Sequence, residues 1–292
     1  NSLTCFESMV TAVYYGCLDV CLCVHHSLSQ RRFKIMSHVT NEGVDLYYEV
    51  HGDGEETIVL AHGMGGNAAI WFNQVAHYAP RYRVIAFDHR YFARSPCTVD
   101  DFKPALFASD AIAIMEAVGV SSAIWICQSM GGWTGSQLAV HYPDRVRALV
   151  MSHTPGIFQH ASAKNDAARL AKTLESGFLP ALAADFPQKN PTMAELYGGI
   201  TRFNNIENAV ISRKIGEAKL GIDIDTLVEY KVPTLFVTGD QDVLFEAAYI
   251  HALASVLPGA AYVNLGQVGH SSYFELPEAF NGAVDEFLNT LS

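Results

Sequence analysis

The chain has 292 residues, a length that accommodates one large domain or two small ones. Half of the residues are hydrophobic and 17% are charged, which excludes a largely disordered polypeptide. Thirty acidic side chains against 19 Lys and Arg leave a net charge of −11, a balance that repels phosphate backbones and anionic headgroups, so neither nucleic acid nor a membrane surface is an expected partner.

Residues 1–36 read as an N-terminal extension distinct from the rest of the chain. Their apolar run from Met9 to Val24 is interrupted by Asp19 and succeeded by Arg31, Arg32 and Lys34. A signal peptide places its positive charges before the apolar run, and a membrane span requires roughly 20 uninterrupted apolar residues. Met36 reads as the natural start of a cytoplasmic domain. Cys5, Cys17, Cys21 and Cys23 all lie in the extension, and Cys97 and Cys127 alone in the body make no disulfide framework, as expected of a reducing compartment.

In the body, Val44–Val50 and Thr57–Ala61 read as strands joined through Gly52-Asp53-Gly54 into an opening hairpin. Short apolar runs then recur at Val84–Phe87, Ala123–Cys127, Ala148–Ser152, Thr234–Val237 and Ala261–Leu265. Continuous apolar runs without alternation are what a parallel strand covered on both faces requires. Helical spacing occupies Ala68–Ala79, Ala105–Val118, Gly131–His141, Glu246–Leu257 and Pro277–Leu291. The alternation predicts an α/β fold, a mostly parallel sheet with helices on both faces, built from 37–155 and 231–292. Residues 156–230 break the rhythm with helical segments at Ser162–Leu174, Thr192–Arg202 and Ile206–Leu220 and no convincing strand, and are expected to form a helical cap.

The chemistry concentrates in Ile124-Trp125-Ile126-Cys127-Gln128-Ser129-Met130-Gly131-Gly132, a buried strand that runs into a serine and then into a glycine-initiated helix. That is the pattern of a nucleophile elbow, with Cys127 where GxSxG has its first glycine. The loop His62-Gly63-Met64-Gly65-Gly66 comes directly after the strand ending at Ala61, as an oxyanion loop would, and the backbone amides of Met64 and Met130 are the candidate donors. A serine hydroxyl requires a base and the base an orienting acid. His270 comes after one late strand and Asp242 after another, with Asp240 as the alternative acid, and the order Ser129, Asp242, His270 distinguishes one fold among the convergent triad families.

With these motifs the body from about residue 40 to 292 resembles the α/β-hydrolase superfamily in its capped small-molecule branch. The resemblance implies Ser129 as nucleophile, His270 as base and Asp242 as acid. Asp88-His89-Arg90-Tyr91-Phe92-Ala93-Arg94-Ser95 resembles the family's DxRGxGxS loop, with Tyr91 and Ala93 where glycines usually stand; the bulkier residues are expected to narrow the pocket or alter contact with the cap. Trp133 and His153 are candidate substrate contacts, the alternatives being a core position for the first and a satisfied strand-end position for the second. No HExxH or CxxC occurs, and GMGG and SMGG lack the dinucleotide and P-loop spacings, so neither a metal nor a cofactor is implied.

The expected activity is hydrolysis of a small carboxylic ester through an acyl-enzyme, with rate loss toward acid pH as the histidine base protonates. Carbon–carbon bond hydrolase, enol-lactonase and perhydrolase activities fit the same scaffold, and a non-catalytic ligand-binding receptor is the competing class.

Overall fold

The computed structural model describes residues 35–164, 181–204 and 206–291. The fold described is that of the unit formed by residues 36–292. The expected extension and the helix expected over Ser162–Leu174 lie, except for their margins, outside the described residues. Among the described residues no helix is long and apolar enough to cross a membrane.

The strands are β1 Ile35–Asn41, β2 Val44–His51, β3 Thr57–Ala61, β4 Arg83–Phe87, β5 Ala123–Gln128, β6 Val146–Ser152, β7 Phe158–Gln159, β8 Ile222–Asp223, β9 Thr234–Thr238 and β10 Ala260–Asn264. Eight of them form one sheet in the order β1-β2-β4-β3-β5-β6-β9-β10. From β4 to β10 every neighbouring pair is parallel, and β2 runs antiparallel to β4. The expected hairpin is therefore corrected: β2 pairs with β4, not β3. The tight turn lies earlier, at Glu42-Gly43 between β1 and β2, where φ values of 48° and 76° give the left-handed backbone such turns require.

The helices connecting these strands are α1 Phe72–Tyr78, α2 Phe107–Val118, α3 Gly131–His141, α7 Ala247–Val256 and, after β10, α8 Ser272–Glu275 and α9 Pro277–Asn289. Alternate residues of each strand feed opposite cores. Trp125 and Cys127 pack with Ala111, Ile114 and Leu138 on one face, while Ile124 and Ile126 pack with Trp71, Phe280 and Val284 on the other. Two apolar faces explain the unbroken hydrophobic runs, since each fully buried aliphatic side chain contributes about 1.5–3 kcal/mol.

Between β6 and β9 the described residues form α4 Phe186–Lys189, α5 Pro191–Arg202 and α6 Asn208–Ala218, together with the two-residue strands β7 and β8. The β7–β8 pair is parallel and stands where no strand was expected. Two-residue strands carry too short a pattern for periodicity to register.

The chain leaves β3 for β4 on one side and returns to β5 on the other. That reversal opens a crevice at the carboxyl ends of β3 and β5, where open α/β sheets bind ligands.

Candidate active site

Ser129 comes directly after β5 with φ 51°, and its amide donates to Ser152 O at 3.0 Å. A left-handed conformation at a non-glycine residue is the strained turn that lifts a serine out of a sheet. Close packing around the turn explains the small residues. A Cβ on Gly131 would lie 2.1 Å from Ala61 O, so only glycine lets α3 start against β3. At the motif's first position, Cys127 is accommodated from the far side: a Cβ on Gly135, one turn into α3, would lie 2.6 Å from Cys127 Sγ. Burial pushes the Cys127 thiol up, which keeps it in the neutral form.

The loop after β3 lies on this turn. A Cβ on Gly63 would meet Gln128 Oε1 at 1.9 Å and Ser129 Cβ at 2.9 Å. Gly66 N donates to Gly63 O at 3.0 Å, closing a tight turn. Among the described residues the amides of Met64 and Met130 have no hydrogen-bond acceptor, and the second opens helix α3, where the dipole favours negative charge. His62 holds the loop from below. Its Nδ1 donates to Gly63 O at 2.7 Å and its Nε2 accepts from His89 N at 3.0 Å, and burial pushes its pKa down to about 4, keeping it neutral.

His270 lies in the loop after β10, and Asp242 in the turn after β9. Gly239 packs so tightly between these loops that a Cβ would lie 2.3 Å from Val268 O. His270 Nδ1 stands 2.9 Å from Asp242 Oδ2. A carboxylate only accepts, so the ring carries its proton on Nδ1 and its lone pair on Nε2. That Nε2 is buried without a hydrogen-bond partner among the described residues, and His270 lines with Ser129 a cavity of about 300 Å³. The alternative acid, Asp240, is exposed and accepts from Asn264 and Gln267 instead.

Asp242 is almost wholly enclosed. Its Oδ1 accepts from Leu244 N at 2.8 Å and Phe245 N at 3.1 Å, and its Oδ2 receives His153 Nδ1 as well as His270, both at 2.9 Å. Burial pushes the carboxyl up, but the His270 charge and the imidazole hydrogen bonds outweigh burial and hold it well below the ordinary carboxylate range. His153, Asp242 and His270 are the one cluster among the described residues whose ligand atoms converge enough for a metal ion; their spacings to the shared oxygen are those of hydrogen bonds.

Neither candidate substrate contact lines the cavity. Trp133 packs beside Phe92, Phe102, Phe107 and Met130. His153 is fully buried and occupied by Asp242 and Ser272. The departures at Tyr91 and Ala93 do not narrow the cavity either, since neither lines it; Tyr91 stacks instead near Phe102, with ring centroids 5.3 Å apart. Residues that sequence reasoning passed over do line it, among them Gln128, Tyr197, Thr201 and Asn204. Gln128, beside the serine, was within reach of the motif; the others come from the segment between β6 and β9, where no motif marks them.

Comparison with known proteins agrees with this architecture. The chain is 30% identical over 257 residues to a putative carbamate hydrolase, RutD, of Caulobacter sp. (strain K31), an alignment covering 84% of this chain and 96% of that one. It is 26% identical over 265 residues to a pimeloyl-[acyl-carrier protein] methyl ester esterase of Yersinia enterocolitica, covering 83% and 96%. The solved enol-lactonase of Burkholderia xenovorans LB400 superposes with a TM-score of 0.72 at 25% identity, over 86% of this chain and 99% of that one. The sequence profile of the alpha/beta hydrolase fold matches residues 56–277, and the chain belongs to that family of hydrolases.

Proposed function

We propose that the protein is a serine hydrolase of small carboxylic esters, with Ser129 as nucleophile, His270 as general base and Asp242 as the acid that orients it. The observation that carries this reading is the buried Nε2 of His270, without a partner among the described residues, in the same cavity as Ser129, with Nδ1 held by Asp242. Ser129 Oγ attacks the ester carbonyl carbon as its proton passes to His270 Nε2. The carbonyl oxygen, now negative, lies against the Met64 and Met130 amides, whose fixed dipoles need no reorganisation. Collapse expels the alcohol with the proton from His270 and leaves an acyl-serine. Water then gives its proton to His270, attacks the acyl carbon and releases the acid. The helices between β6 and β9 act as a cap over this cavity: Tyr197, Thr201, Asn204, Ile206 and Asn208 supply its outer wall.

No charged side chain other than a protonated His270 lines the cavity among the described residues, in keeping with a small uncharged substrate. The test is turnover of p-nitrophenyl acetate, an enol lactone and an aryl carbamate by wild type and Ser129→Ala, with fluorophosphonate labelling in parallel. We expect covalent labelling of the wild type, turnover of the acetate first among the three, and a loss of about a thousandfold or more in the variant. Near-normal turnover by Ser129→Ala overturns the assignment, and an unlabelled wild type favours a ligand-binding role.

A further inference from the structure

A second imidazole reaches Asp242 without lining the cavity. His153 comes directly after β6, its side chain has no solvent exposure, and its backbone is left-handed at φ 55°, tied to β9 by donation from its amide to Val237 O at 2.8 Å. Its Nδ1 is 2.9 Å from the Oδ2 atom that also receives His270, and its Nε2 is 2.8 Å from Ser272 Oγ. The carboxylate accepts only, so His153 carries its proton on Nδ1, and the Ser272 hydroxyl donates to Nε2. Burial keeps the ring neutral. With two backbone amides on Oδ1 and two imidazoles on Oδ2, all four acceptor directions of the carboxylate are taken.

We propose that His153 is a positioning residue for the hydrolytic reaction: a neutral second donor that fixes the plane of Asp242 against His270 and withdraws part of the negative charge that would otherwise hold His270 protonated. The inference rests on the triad reading of Ser129, Asp242 and His270. A carboxylate relieved of one donor attracts the imidazolium more strongly and turns more freely. Loss of His153 therefore both misorients the base and keeps it protonated to higher pH. Other groups also face the base. Tyr197 contacts Ser271 at 3.2 Å, the Phe245 ring lies 6.0 Å from that of His270, and Tyr273 is buried beside them. Glu275 accepts from Gly269 N and Ala183 N. Burial raises Glu275 despite those amides, making it the neighbouring carboxyl to control for.

The experiment measures kcat and KM for p-nitrophenyl acetate against pH in wild type, His153→Phe, His153→Asn, Ser272→Ala, Glu275→Gln and Ser129→Ala. His153→Phe is expected to lose about tenfold in kcat with KM within about twofold, and its acid limb to move up by about half a pH unit or more. Ser272→Ala moves the limb the same way by less. Asparagine tolerates positive φ and presents an N–H close to the place of Nδ1, so His153→Asn restores the limb. An acid limb in His153→Phe identical to wild type overturns the inference, as does an equal shift in Glu275→Gln or a His153→Asn variant no better than His153→Phe. In wild type labelled with ¹⁵N-histidine, two low-field Nδ1–H resonances are expected from the imidazoles on Asp242, besides that of His62, whose Nδ1 donates to Gly63 O. Only one beside that of His62 overturns the inference even if no variant folds. Full activity in Ser129→Ala, by contrast, defeats the triad reading and leaves the pair of resonances untouched.

Discussion

Left-handed backbone recurs around the candidate site without being confined to it. Ser129 and His153 adopt it at φ 51° and 55°, and so do Tyr91 and Ala93 at 78° and 38°. The last two occupy positions where the family usually has glycine, and their conformation gives the reason: the loop requires a backbone that glycine adopts without strain. It is retained here because neighbours hold it. Tyr91 N donates to Ser95 O and Ser95 N to Phe92 O, both at 2.8 Å, and the Arg94 guanidinium is paired with Asp88, its Nε 2.8 Å from Oδ2. Tyr91 also gains contact with Phe102, whereas Ala93 has no ring to offer. Ala93→Gly should therefore stabilise the protein by about 1 kcal/mol, relief of the left-handed strain exceeding the added freedom of the unfolded chain. Urea midpoints at constant slope measure this, and a destabilised variant contradicts it. The small residues around Ser129 were legible in sequence. The compensation of Cys127 by Gly135 was not, because it depends on which face of α3 rests on β5.

Helix α5 does more than wall the cavity. At its end, Asn204 Nδ2 donates to Gly65 O at 3.1 Å and Gly66 O at 3.0 Å, while Asn67 Nδ2 donates to Ile200 O at 3.0 Å. Near its middle, Tyr197 reaches Ser271, next to the proposed base. One helix is thus bonded to the loop that carries the Met64 amide and to the loop that carries His270. Asn204→Ala should lower kcat by about tenfold, part of what deletion of a whole oxyanion donor costs. It should reduce stability by only about 1 kcal/mol, the net worth of such a hydrogen bond. Steady-state kinetics beside thermal unfolding checks both, and an unchanged kcat indicates a loop that holds itself. The span of α5 was close to legible, expected from Thr192 and observed from Pro191 to Arg202. Its attachment to the loop after β3 was not, since the partners are separated by well over a hundred residues and no periodicity links them.

Taken whole, the molecule seals neutral histidines in its interior, and its stability depends on pH through them. Burial lowers His62 from the ordinary 6.5 to about 4 and lowers His89 and His153 as well. The folded state then binds fewer protons than the unfolded state below about pH 6.5, so this contribution is complete above that value and is lost as the pH falls, for His62 down to about 4. Each such histidine steepens the loss by about 1.4 kcal/mol per pH unit. Chemical denaturation between about pH 7.5 and 4.5 should show stability falling steadily below about 6.5, and a flat profile would contradict burial of the neutral rings. The sequence by itself determined the α/β class, the hydrolase resemblance and the order of serine, aspartate and histidine, because buried parallel strands require continuous apolar runs and the elbow requires small residues at set spacings. The tertiary structure alone decided that β2 pairs with β4, that Asp242 rather than Asp240 meets His270, and that His153 bonds to the carboxylate rather than lining the cavity. Each of those depends on the register and packing of strands far apart in the chain, which local pattern does not encode.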